Sequence, residues 1–170
     1  MPQPPQQRPP KPSDGPKHRH DQNTRSLDDI WPLYLQKGYF DEHGALQTDL
    51  LDRTQLTKLI DAVCSDLTTH QVRRFFGHCR FIEAALRGGR LTWPQALPKV
   101  RFLDVAAADA YGKTKDGGQP APKIPRLFHD FIKANIAIIK TQQDFLDGFL
   151  PHFEAFVGFG SGKFSNKKGN

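Results

Sequence analysis

The chain has few of the residues from which catalytic and metal centres are built. It has two cysteines, Cys64 and Cys79, and neither sits in a CxxC pair or a Cys/His cluster. That argues against a disulfide framework and a thiolate zinc site. Both fall at apolar helical positions and read as buried free thiols of a reducing compartment. No apolar run approaches the roughly 20 residues a membrane span needs. The N-terminal stretch is rich in Pro and Gln without a hydrophobic segment, so it does not read as a signal peptide. A cytoplasmic protein without membrane contact is expected. The motifs HExxH, DxDxG and GxSxG are absent. Gly160-Ser161-Gly162-Lys163 imitates a phosphate loop, but Val157 occupies the position of the first glycine and Phe164 that of the Ser/Thr. The acid pairs Asp28-Asp29 and Asp41-Glu42 fall in caps or loops, and His18-Arg19-His20 reads as part of a solvated basic tail rather than a metal site. No catalytic residue, metal ligand or cofactor is expected, and the chain is not read as an enzyme. Strand periodicity is missing too, with no convincing period-two alternation, βαβ unit or internal repeat.

What is present is positive charge and helical periodicity. The formal charge is +6, the isoelectric point about 9.4, and the mean hydropathy −0.59 with 37% hydrophobic residues. Such an excess fits an acidic partner such as nucleic acid. Residues 1–25 hold seven of the 14 prolines and five Lys or Arg against two Asp, the composition of a disordered basic tail. Residues 26–162 read as one helical domain, and 163–170 as a flexible basic tail. The thirteen phenylalanines supply bulk for a single core.

The domain is organised around residues 67–87. Thr68 can cap a helix, Gln71 completes a capping box, and Leu67 can staple onto Val72. Val72, Phe75, Phe76, Cys79, Ile82 and Leu86 recur at helical spacing and form one apolar face. On the other face Arg73, Arg80 and Arg87 lie seven apart, nearly on one line, with Gly77 and Ala84 between them. At about 1.5 Å rise per residue the arginines stand roughly 10 Å apart, a basic rail with low ground between the posts. A phosphate backbone lying along the helix fits that shape. Composition alone reads the same face as a solvated charged surface, and Glu83 can pair with Arg80 and Arg87. The local balance favours the rail: residues 66–101 carry seven Lys or Arg against two acids. His70 and His78, eight apart on this helix, read as surface histidines.

A short apolar element follows a cap at Ser26, is interrupted at Pro32 and ends at Gly38, and four further helices are expected. The first covers Ala45 to Cys64, beginning in earnest near Asp52. Gly88-Gly89 stops the central helix, and Thr92-x-x-Gln95 opens the next, which runs to about Tyr111 with Lys99 and Arg101 near its start. Gly112 to Pro125 reads as a long loop. Strong helical patterns follow from Leu127 to Ile139 and from Thr141 onward, where Pro151 should kink or break the helix. The fold class is all-α, a compact bundle of about five helices.

Three segments together resemble a known family. Leu67-Thr68-Thr69-His70-Gln71-Val72-Arg73-Arg74-Phe75-Phe76 is similar to the Leu-Thr-x-x-Gln-Ile/Val-Arg-Lys/Arg-Phe-Phe/Tyr signature of the small subunit of type III-A CRISPR interference complexes, the Csm complex. Leu97-Pro98-Lys99 to Ala107 resembles its Leu-x-Pro-Lys-Leu-x-Tyr-Ala helix. Phe153-Glu154-Ala155-Phe156-Val157-Gly158-Phe159 resembles its Phe-x-Glu-Ala-x-Val-Ala-Tyr ending, with Phe159 where tyrosine is common. The matches keep their order over residues 55–162. Residues 26–50 match poorly, and the Gly112–Pro125 loop is longer and richer in glycine than the family pattern.

The resemblance implies a non-catalytic helical subunit whose copies self-associate in a filament inside an RNA-guided complex for antiviral defence. Its basic surfaces would hold the backbone of the target RNA and of the CRISPR RNA–target duplex without reading sequence, beside the other Csm subunits. The family's basic pair maps to Arg73 and Arg74, and its Leu-x-Pro-Lys lysine to Lys99. Arg80, Arg87 and Arg101 join the expected RNA-binding set from helical geometry alone. Two alternatives stay open at this point: a structural helical adaptor for an acidic protein, and the small subunit of the related type III-B complex.

Overall fold

The computed structural model describes residues 25–112 and 123–165. The expected N-terminal tail, the His18-Arg19-His20 cluster, most of the Gly112–Pro125 loop and residues 166–170 lie outside the described residues. Six helices follow in order: α1 (Leu27–Ile30), α2 (Arg53–Val63), α3 (Thr69–Arg87), α4 (Trp93–Gly112), α5 (Arg126–Ile138) and α6 (Leu150–Gly160). A 3₁₀ turn (Thr48–Leu51) precedes α2 and a π turn (Asp144–Phe149) leads into α6. Among the described residues β pairing is limited to two isolated bridges, Phe40 with Leu46 and Thr68 with Ser165. The all-α expectation holds.

Local chemistry explains where the helices start. The Ser26 side chain accepts the Asp29 amide and the Asp29 carboxylate accepts the Ser26 amide, closing a capping box on α1. Asp52 caps α2 through the Gln55 amide at 2.9 Å. Thr68 and Gln71 form the box on α3, at 2.8 and 3.2 Å. Each box satisfies amides that lack intrahelical partners. The chain between α1 and α2 turns at Gly38 and Gly44, both with φ near +75°, a region open to glycine at little cost. Pro151 does not break the last helix. Its ring clashes with the carbonyl one turn back and it lacks an amide proton. The helix widens into the π turn immediately before it, and the chain continues to Gly160.

The largest fully buried side chains are phenylalanines. Phe153 and Phe156 of α6 are fully buried against Phe128 and Phe131 of α5, and Phe149 of the π turn stacks on Phe153, with ring centroids 5.0–6.3 Å apart. α2 packs on α6, α4 on α5, and α3 lies against α4 and α6. Two rings seat α3: Phe75 meets Phe128 edge-on at 5.4 Å and Phe76 meets Phe153 at 5.5 Å. Val72, Cys79, Ile82 and Leu86 complete its buried face. Each such side chain contributes about 1.5–3 kcal/mol of transfer free energy, which fixes the rotation of α3 and so the direction of its polar face. Phe164 and Ser165, assigned from sequence to the basic tail, pack back onto the bundle, Phe164 being buried.

Candidate nucleic-acid interface

With the apolar stripe of α3 inward, His70, Arg73, Arg74, Gly77, Arg80, Phe81, Ala84 and Arg87 are all exposed. At 100° per residue they occupy one continuous sector of the helix. A Cβ placed on Gly77 would meet nothing within 4 Å, so the ground between Arg73 and Arg80 is open.

The two ends of the rail differ. Glu83, its side chain only 13% exposed, accepts from Arg80 at 2.7 Å and from Arg87 at 2.9 Å. Arg80 also leans over the Phe76 ring, 5.9 Å from its centroid. At this end one carboxylate offsets one of two cations. Arg73 and Arg74 form no ion pair with the described acids, so the first two turns of the rail present their charge uncompensated. Surface ion pairs add little stability, but they lower the local potential, and here they do so only at the far end.

Lys99 is exposed on α4, and its backbone meets α3. The His78 ring spans the two helices, its Nε2 donating to the Lys99 carbonyl at 3.1 Å, since a carbonyl oxygen only accepts. His78 lies one turn after Arg74, so the Lys99 backbone passes close to the near end of the rail. Arg101 is placed elsewhere. Its guanidinium donates to the carbonyls of Ile136 and Ile139, the latter at 2.9 Å. These oxygens sit at the end of α5, where carbonyls lack intrahelical partners and a cation is favoured. The geometry makes Arg101 a helix cap rather than a free cation. Arg101→Ala is expected to lower stability by about 1–2 kcal/mol in urea unfolding while leaving the salt dependence of RNA binding as in the unaltered chain. Unchanged stability with a shallower salt dependence would return Arg101 to the RNA-binding set.

Three exposed apolar residues escaped the sequence reading. Phe81 on α3 is 60% exposed, and Phe102 and Val105 on α4 are 58% and 56% exposed. Their signal was available, since Phe81 stands seven residues after Arg74 and off the apolar stripe. Elsewhere, a groove of about 610 Å³ is lined by Arg25, Asp29, Lys58, Asp61 and neighbouring apolar residues, none from the rail. Among the described residues no three His, Cys, Asp or Glu side chains group as a metal site, and no helix is long and apolar enough to cross a membrane. Cys79 is buried, and desolvation pushes its thiol up, away from the reactive thiolate.

A family model described as Csm2 Type III-A matches residues 46–163. The chain belongs to this family. The match runs from just before α2 to the segment after α6 and includes the whole rail, Lys99 and the aromatic ending. It carries with it the place of a small structural subunit in a type III-A Csm complex, in association with other Csm subunits. It also decides between the two complex types in favour of III-A. No curated protein and no solved structure matches the chain. Within this Csm2-family fold, α3 is the element on which the sequence signature and the exposed basic face coincide.

Proposed function

We propose that this Csm2-family subunit is a non-catalytic RNA-backbone clamp of a cytoplasmic type III-A complex. It stacks along the CRISPR RNA–target duplex and holds phosphates without reading bases. One observation carries the reading: Arg73 and Arg74 stand exposed and unmatched by described acids at the start of a face with open ground at Gly77. Lys99 serves the same surface from α4, and Arg80 and Arg87 extend it at reduced charge. Sequence-indifferent binding follows from contacts that are cationic and not shaped to base edges. Self-association in a filament is supported by the exposure of Phe81, Phe102 and Val105, large apolar side chains on α3 itself and on α4 packed against it.

The test is binding of the full chain to a single-stranded RNA oligomer over a range of salt. The Arg73→Ala/Arg74→Ala double variant is expected to make the slope of log K against log salt shallower by about 1.4, since each single-strand phosphate contact contributes about 0.7. Oligomers of different sequence should bind alike. Equal affinity and slope for variant and parent would overturn the assignment. Co-purification with one acidic protein and no RNA would favour the adaptor reading instead.

A further inference from the structure

Phe81 is the one large apolar side chain exposed on α3. In a helix a long side chain leans back over the residues three and four before it, here His78 and Gly77. Gly77 has no side chain, and the space above it is open. The His78 ring is turned to the Lys99 carbonyl on α4. Three residues after Phe81 stands Ala84, which is too short to reach over a ring. Its own helix therefore leaves the Phe81 ring open. Among the described residues it pairs with no other ring, whereas Phe75 and Phe76 of the same helix each meet a core phenylalanine.

The surroundings of this ring are cationic. Arg74 and Phe81, seven apart, lie nearly on one line of the helix, and Arg73 and Arg80 lie on a second line beside it. Gly77 and Ala84 fall between the two lines and keep the ground low. Glu83 is the one acid of α3, and Arg80 and Arg87 already hold it. A protein surface seated on Phe81 would have to supply an acid for Arg74 or leave it in water. A row of cations beside an open aromatic ring is instead the combination that holds single-stranded nucleic acid, with cations along the phosphates and a base stacked on the ring. Phe102 and Val105 differ, since at helical spacing they share one side of α4 with the exposed Pro98, a ridge suited to an apolar protein surface.

We propose that Phe81 is a stacking platform for one unpaired base of the RNA strand whose phosphates meet Arg73 and Arg74. This rests on the RNA-backbone reading and deepens it. The bases of a duplex are already stacked on one another, so the strand is unpaired where it crosses Phe81. Every base has a π face, so the stack adds affinity without choosing a sequence. The contact between copies then falls to Phe102 and Val105, without Phe81.

The experiment compares binding of the full chain to a single-stranded RNA oligomer and to an RNA duplex of the same length over a range of salt. Phe81→Ala should weaken single-strand binding at least about fivefold, the low end of a base–aromatic stack. Its salt slope should stay that of the parent, since no cation is removed, and duplex binding should not change. Phe81→Leu keeps apolar bulk without a π face and should lose as much as Phe81→Ala. Phe81→Trp should bind the single strand at least as well as the parent. Its fluorescence should be quenched by that strand beyond the response of Trp31 and Trp93 in the parent. If Phe81→Ala keeps the parent's single-strand affinity while Arg73→Ala/Arg74→Ala lowers the slope, the stack is wrong and the backbone reading stands. If Phe81→Ala keeps its RNA affinity but loses self-association in sedimentation, the ring belongs to the contact between copies. An equal loss on the duplex also overturns the stack. If the parent chain binds no RNA, the backbone reading fails and takes the stack with it.

Discussion

Lowering the pH from 7 to 4.5 is expected to remove about 2–3 kcal/mol of stability through one residue, His152. Its ring is fully buried between two partners. Nδ1 faces the Leu50 carbonyl at 2.6 Å, so Nδ1 carries the proton and donates it. Nε2 is then the acceptor for the Tyr34 hydroxyl, also at 2.6 Å. The Tyr34 oxygen in turn accepts from the Asn135 side-chain amide at 2.7 Å, which also donates to Phe131 at 2.8 Å. The Asn135 oxygen accepts from Tyr39 at 3.0 Å. The donors and acceptors match only with a neutral ring. Burial lowers the His152 pKa from 6.5 to about 4, against a smaller opposing effect of the Leu50 bond, and the same burial raises those of both tyrosines.

The sign follows from linkage. Between about pH 4 and 6.5 the unfolded chain holds a proton on this residue and the folded chain does not, so stability rises with pH across that window. Its contribution is complete above 6.5 and is lost as the pH falls toward 4. Urea unfolding at pH 7, 5.5 and 4.5 measures it, with His152→Gln as the comparison. The glutamine variant starts less stable but lacks the proton, so its loss over the window should be smaller by about 2–3 kcal/mol. Equal losses for the two proteins would exclude His152 as the cause. Stopping at 4.5 avoids Asp29, whose carboxylate the Ser26 amide and hydroxyl hold below its ordinary pKa, so that its protonation falls lower.

The parts of this fold that can be read from sequence are those determined within one or two turns. The Thr68–Gln71 box is local chemistry, as are the cap at Asp52 and the turn at Gly38. The rotation of α3 follows from six apolar positions at one spacing, so the exposed face could be named in advance, as could the neutralising role open to Glu83. Arg101 shows the limit. Nothing near it in sequence announces the carbonyls of Ile136 and Ile139, more than 30 residues on. The tie of Lys123 to Gln71 spans 52 residues, so the Gly112–Pro125 segment carries no local sign of it. The His152 network is the extreme case, joining positions about 100 apart. A histidine in an apolar helix gives no local sign that it holds a buried tyrosine.

The rail itself illustrates the same division. Spacing made Arg73, Arg80 and Arg87 equivalent. Side-chain placement makes them unequal, since a single largely shielded carboxylate pairs with both Arg80 and Arg87 and with neither Arg73 nor Arg74. The His78 bridge brings the Lys99 backbone to this helix and does not place its charge. For a backbone-binding surface, affinity follows the number of uncompensated cations a strand can reach. On the proposed RNA-backbone reading, the near end of α3 therefore outweighs the far end although the helix is the same throughout.

Gly148→Ala is expected to cost about 2–3 kcal/mol, near the upper end of typical overpacking penalties. Gly148 lies in the π turn, directly under the Tyr39 ring. A Cβ on it would stand 2.5 Å from Tyr39 Cγ, 2.7 Å from Cδ2 and 2.8 Å from Cβ. Contacts at the root of the side chain cannot be relieved by swinging a flexible end. The ring is also held at its far end, where the hydroxyl donates to Asn135. The π turn cannot retreat either, because Phe145 and Phe149 on either side of Gly148 are fully buried. The strain should thus appear as lost stability in urea unfolding at pH 7, with an unchanged denaturant slope if the native surface is kept. The cause is checked by a double-variant cycle with Tyr39→Ala. Removing the ring vacates most of the space the new methyl enters, so Gly148→Ala should cost at least about 1 kcal/mol less in that background. An additive result would show that the penalty arises in the π turn itself and not against Tyr39.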